Sequence, residues 1–239
     1  RQIEQDCRGE SGEREKLYAA IQHFNMAGEK EKALLCRIKL AERYSSPHYE
    51  MFPELNGAVL RGGYDRRQIT GHLEELETAM ENLEQSSAGE ERISRYKAAY
   101  LEMKGRYHIW RGEHRAGLRA IHDLLQLAEM REYAEYREKG YQQVIYCAIQ
   151  MRRHRLLELF ADKLILASDK SSAPLLGAAL RFKGLSCALR VENEAAESYY
   201  RRSIAFFKRR HGRGCAAHIA AAYNYIGDLR RDAGNLEEA

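Results

Sequence analysis

The chain contains 239 residues, the length of one large domain or two small ones. Hydrophobic residues make up 44% of it, and 39 Lys and Arg against 35 Asp and Glu give a net charge of +4. This balance permits a nucleic-acid partner but does not require one. The chain has three prolines and one tryptophan, and so few breakers argue against many short strands and tight turns. No apolar run approaches the length of a membrane span.

Five cysteines lie far apart along the chain, at positions 7, 36, 147, 187 and 215. Their odd number and wide spacing exclude a disulfide framework, and the absence of a CxxC pair argues against a zinc site. We expect core thiols in a reducing, cytoplasmic setting. No signal peptide is recognisable, and a start at Arg1 rather than Met predicts a piece of a longer protein.

The hydrophobic period is helical almost throughout. It predicts a divergent helix pair over 1–44, with one helix from about Arg14 to Met26 and a second that ends near Tyr44. The stretch 45–69 has no clean period and predicts an irregular connection. Thr70 is predicted as the N-cap of the next helix. From Glu90 onward we expect helices at about 90–111, 114–129, 132–151, 154–168, 173–191, 193–210 and 213–233.

Four glycines recur in the middle of these helices, at 105, 140, 184 and 227. A mid-helix glycine costs about 1 kcal/mol against alanine, so four at matching phase indicate close helix–helix approach. Small residues follow Gly105 and Gly184 at +12, and large residues follow at +16. This spacing is typical of tetratricopeptide repeats, each of which consists of two antiparallel helices, A and B. In 133–168 helix A runs long and the small position falls on Leu156 or Leu157.

The pattern predicts an all-α fold, a right-handed α-solenoid of about five antiparallel helix pairs. The array covers 70–239 and its last repeat is truncated. The alternative is a generic helical bundle in which the glycines recur by chance. A truncated last repeat would expose Tyr223 and Ile226, so we also expect self-association through this end.

Four segments resemble a known family. They are Tyr18–Ala33 (YAAIQHFNMAGEKEKA), His48–Leu55 (HYEMFPEL), Lys139–Gln150 (KGYQQVIYCAIQ) and Ala220–Arg230 (AAAYNYIGDLR). They are similar to segments of large bacterial signal-transduction ATPases of the LuxR-type and antibiotic-regulator-type activator groups. The resemblance implies the tetratricopeptide sensor part of a multidomain transcriptional regulator, in which other domains of the parent bind ATP and DNA.

Catalytic and metal-binding motifs are absent from the sequence, which predicts a non-catalytic module without cofactors. We expect the A helices to line a concave groove that binds a protein or peptide partner, or a small anionic effector. Salt bridges between neighbouring A helices are an equally good interpretation of the same residues. The predicted groove residues are Arg106, Trp110, Arg137, Tyr141, Arg181 and Asn224.

Arginine-rich clusters at 111–119, 152–155 and 201–213 are interpreted mainly as solvated helix surface. Nucleic-acid binding through them is a further alternative, which a steep salt dependence would reveal. The other alternative to a regulator sensor is a stand-alone adaptor that binds peptides.

Overall fold

The computed structural model describes residues 2–45, 66–84, 89–168, 175–210 and 213–234. Every regular element in this part of the chain is a helix, which confirms the predicted all-α class. None of these helices is long and apolar enough to cross a membrane. The helices are α1 (Gln2–Met26), α2 (Lys30–Ser45), α3 (Arg66–Glu84), α4 (Glu90–Trp110), α5 (His114–Met130), α6 (Ala134–Gln150), α7 (His154–Ser168), α8 (Leu175–Ala188), α9 (Asn193–Lys208) and α10 (Arg213–Asp232).

Two early predictions about helix starts are wrong. Helix α1 begins at Gln2 rather than near Arg14. Thr70 is not an N-cap, because α3 begins at Arg66 and Thr70 lies inside it. Its hydroxyl instead lies 2.8 Å from the Tyr107 hydroxyl of α4. Most of the predicted connection 45–69 lies outside the described residues.

The chain divides into two compact units, with the boundary between Tyr136 and Arg137. The first unit contains α1 to α5, where α3 packs against both α2 and α4. Its core includes Leu34, Leu76 and Met103, all at most 1% exposed. The second unit takes in α6 from Arg137 onward and α7 to α10. One core cluster joins α6, α7 and α8, and another joins α8, α9 and α10.

The glycines at 105 and 184 mark close helix crossings, as predicted. A methyl group on Gly105 would lie 2.4 Å from the Ile121 side chain of α5, and one on Gly117 would lie 2.5 Å from the Ile109 side chain of α4. These two contacts run in opposite directions along the chain, so α4 and α5 are antiparallel. A methyl group on Gly184 would lie 2.6 Å from the Tyr200 ring. In both pairs the side chain sixteen residues after the glycine therefore packs directly against it.

Gly140 does not follow this phase. Gly105, Gly184 and Gly227 each lie seven residues before a residue in the left-handed conformation, whereas Gly140 lies twelve residues before Arg152 (φ 53°). The residue seven positions before Arg152 is Ile145, which is fully buried beside Leu157 of α7. At the crossing of α6 and α7, Ile145 and Leu157 therefore take the places that a glycine and a small residue occupy in the other pairs. The crossing lies beyond Gly140 because α6 continues to Gln150.

Short turns with one left-handed residue join the helices of each pair. Glycine takes this conformation at Gly28 and Gly112, whereas Val191 takes it between α8 and α9 with φ 65°. A β-branched residue is strained there. The Val191 side chain is 80% exposed, so burial does not compensate the strain.

The cysteines behave largely as predicted. Cys147, Cys187 and Cys215 are buried and Cys36 is half-buried, and all four are free thiols. Burial raises the pKa of the Cys147 thiol to about 11. These residues therefore pack as small hydrophobic side chains.

Replacing Gly117 with alanine should destabilise the protein. The new Cβ would lie 2.9 Å from the Ile109 backbone nitrogen and 3.0 Å from the Gly105 carbonyl oxygen, so the two helices must separate. We expect a loss of about 1–3 kcal/mol in the free energy of unfolding, as for overpacked cores. Gly71→Ala is the matched control, because nothing lies within 4 Å of its Cβ position in α3. It should gain up to about 1 kcal/mol. Urea denaturation measures both, and equal effects would contradict the close crossing.

Val191→Gly should stabilise the protein by about 0.5–1 kcal/mol, because relief of left-handed strain exceeds the added entropy of the unfolded chain. Gly112→Val places the same residue in the equivalent turn of α4 and α5 (φ 78°) and should destabilise. Thermal unfolding of the two variants tests this. A lower melting temperature for Val191→Gly would show that the turn is not strained.

Candidate binding surfaces

Arg181 lies in the core of the second unit, with 0% of its surface exposed. Its guanidinium carbon lies 5.2 Å from the Phe182 ring centroid and 5.9 Å from that of Tyr225 on α10. Burial lowers the pKa of the arginine from its usual range. The residue predicted to present its guanidinium at the groove surface is thus enclosed by α8 and α10.

His218 of α10 also contacts Arg181. Its Nδ1 is 3.5 Å from an Arg181 Nη2 atom, a long contact. Since an arginine can only donate, the histidine nitrogen is the acceptor in this contact. The imidazole is 3% exposed and stacks on Phe207 of α9, with ring centroids 4.4 Å apart at an interplanar angle of 7°.

Two stacked tyrosines pack beside Arg181 and His218. Tyr200 of α9 and Tyr225 of α10 stack with centroids 5.3 Å apart at 18°. Burial raises the pKa of both phenols. They therefore remain neutral, and together with Arg181 and His218 they form an aromatic and cationic layer that joins α8, α9 and α10. Sequence reasoning missed this layer, although Tyr225 lies one position after the predicted Asn224.

The other predicted groove residues of the second unit are exposed or half-buried. Asn224 is exposed on α10, beside Tyr223, which is 48% exposed. Arg137 and Tyr141 are half-buried and lie one turn apart on α6. The Tyr141 ring meets Phe160 of α7 edge-on at 5.6 Å. The expected exposure of Tyr223 is confirmed, but that of Ile226 is wrong: it is 7% exposed because it packs in the α8–α10 core.

Arg106 and Trp110 belong to the first unit. Arg106 forms an ion pair with Glu102 at 3.2 Å, one turn earlier on α4, and only 9% of the Glu102 side chain is exposed. Trp110 is half-buried, with its ring centroid 6.4 Å from that of Tyr107. Part of the predicted charge of α4 is therefore neutralised within one helix.

A cavity of about 600 Å³ between α2 and α3 was not predicted from the sequence. Small residues form part of its lining, among them Ala33, Gly71 and Ala79. The ion pair between Arg37 and Glu75 lies at its wall. Such a cavity forms where small residues on two helices coincide, and no one-dimensional pattern marks that coincidence.

In the described part of the chain, no group of three His, Cys, Asp or Glu side chains is placed to hold a metal ion. Comparison with known protein families, curated proteins and solved structures gave no match. The functional proposals below therefore depend on the residues of this chain. The prediction that the six groove residues bind a ligand stays a prediction.

Arg181→Ala should cost about 2–5 kcal/mol of stability, because it removes a large, fully buried side chain. Asn224→Ala on the neighbouring α10 should change stability by less than about 0.5 kcal/mol, as for an exposed substitution. Chemical denaturation with circular dichroism measures both values. An Arg181→Ala variant as stable as Asn224→Ala would contradict the enclosed position of the arginine.

Proposed function

We propose that the chain is a non-catalytic, tetratricopeptide-like interaction module that acts as the sensor of a cytoplasmic, multidomain bacterial transcription regulator. The observation that carries this proposal is the repeated helix crossing, in which Gly105 and Gly184 each seat a large side chain of the following antiparallel helix. Repeated helix pairs of this kind build extended binding surfaces. The family resemblance of the sequence supplies the regulatory context.

The binding surface of the second unit is formed by the A helices α6, α8 and α10. Asn224 offers an amide that can pair with an extended peptide backbone, and Arg137 offers a cation. Arg181 is fully buried and therefore contributes without direct contact. Its buried charge is weakly screened by solvent and attracts an anionic ligand without touching it. A peptide with carboxylate groups, or a small anionic effector, fits this combination.

A sensor must also change the state of the domains attached to it. Ligand binding shifts such an equilibrium only by its difference in affinity for the two states, typically about 1–3 kcal/mol. The layer of Arg181, His218, Tyr200 and Tyr225 joins three helices of the second unit. A ligand that moves α10 relative to α8 would have to rearrange this layer. The rearrangement would transmit ligand binding from α10 to α8 and α9.

Peptide selection tests the groove. Peptides selected from a random displayed library against the purified chain should bind at least tenfold more weakly to Arg137→Ala or Asn224→Ala. Arg155→Ala is the matched control, because it removes an exposed arginine from α7 rather than from an A helix. Unchanged binding by both groove variants, with unchanged thermal unfolding, would contradict the groove as the binding site.

The regulatory role has its own test. The reading frame that encodes this chain should also encode a P-loop ATPase or a DNA-binding domain. A frame without either would leave a stand-alone adaptor, and the regulatory part of the proposal would be wrong even if the groove binds peptides.

A further inference from the structure

The outer face of α9 carries a row of residues that alternate between small and cationic. Ser198, Arg202, Ala205 and Arg209 follow one another at helical spacing, and all four are exposed. A shallow depression of the surface is lined by three of them, Ser198, Arg202 and Ala205, and also by Glu194, Glu197 and Arg201. Small residues on either side of an arginine allow another helix to approach its backbone.

Aromatic rings contact three cations near the C-terminal end of α9, namely Arg202, Lys208 and Arg210. The Arg202 guanidinium lies 5.1 Å from the Tyr199 ring centroid, and the Arg210 guanidinium lies 3.7 Å from that of Phe206. Lys208 approaches Tyr223 of α10 and donates to its hydroxyl at 3.4 Å. A guanidinium stacked on a ring keeps its N–H edge for acceptors in its own plane, and the stacking limits the entropy lost when an acceptor binds.

Carboxylates neutralise one half of α9 and not the other. Glu197 accepts two hydrogen bonds from Arg201, at 2.8 and 2.6 Å, and one from Arg230 of α10 at 3.1 Å. Within the described residues, neither Arg202 nor Arg209 forms an ion pair. The positive charge is therefore concentrated on the row from Arg202 to the end of the helix.

The length of this row selects the partner. Arg209 directly follows the last residue of α9 and lies seven positions after Arg202. That offset corresponds to about 10 Å along a helix at about 1.5 Å per residue. An α-helix presents side chains seven residues apart at this same distance along one of its faces. Two carboxylates at that spacing on a partner helix therefore match the two guanidinium groups of the row.

We propose that the outer face of α9 binds an acidic helix whose carboxylates, seven residues apart, pair with Arg202 and Arg209. The small side chains of Ser198 and Ala205 admit the backbone of that helix. Each carboxylate accepts hydrogen bonds from one guanidinium in bidentate geometry. This surface is separate from the groove of α6, α8 and α10, so the two proposals can fail independently.

The test uses the whole chain and a fluorescein-labelled, alanine-rich helical peptide that carries glutamates seven residues apart. Fluorescence anisotropy should show binding that weakens at least tenfold when the glutamates are replaced by glutamines, and likewise in the double variant Arg202→Ala/Arg209→Ala. Arg201→Ala is the matched control on the same helix, because its charge is already paired with Glu197. It should leave the affinity within about twofold.

Three results would overturn the proposal. The first is equal affinity for the glutamate and glutamine peptides. The second is an equal loss in Arg201→Ala and in the double variant, which would indicate unspecific charge attraction. The third is tighter binding of a single-stranded oligonucleotide of the same net charge, which would make α9 a nucleic-acid surface. Thermal unfolding of each variant establishes that the fold is retained.

Discussion

The distance at which two helix backbones can meet governs the architecture of this protein. At the crossing of α4 and α5 both contact positions are glycine, and the Ile121 side chain occupies the space that a Cβ of Gly105 would need. At the crossing of α8 and α9 a glycine meets the Tyr200 ring in the same way. Each close contact fixes the rotation of both helices about their axes, and that rotation determines which side chains are buried and which face outward.

The sequence predicts much of this because the signal is local. A glycine followed by a small residue at +12 and a large one at +16 is readable without knowledge of the rest of the chain. The prediction that Gly140 marks a close crossing is wrong for a physical reason. The position of a crossing depends on where the first helix of the pair ends, and α6 continues to Gln150. Its turn residue is Arg152, which gives no sequence signal for a left-handed conformation. The same holds for Val191.

Burial of the predicted groove residues was harder to predict from the sequence, because it depends on a third helix. Arg181 lies three residues before Gly184, a position that predicts a side chain on the groove face of α8. Whether that side is open depends on α10, whose His218 and Tyr225 enclose the guanidinium. Asn224, the residue before Tyr225, stays exposed. A periodic pattern identifies a face of a helix, but only packing determines what covers that face.

The close crossings have a consequence for how this protein can change in length. One residue inserted between Gly117 and Ile121 would rotate the following part of α5 by about 100°, since a helix has about 3.6 residues per turn. Ile121 would then leave the space beside Gly105, and the crossing would lose its contact. Insertions inside these helices are therefore disfavoured, and growth or shrinkage of such a chain is expected in the turns or by whole helix pairs.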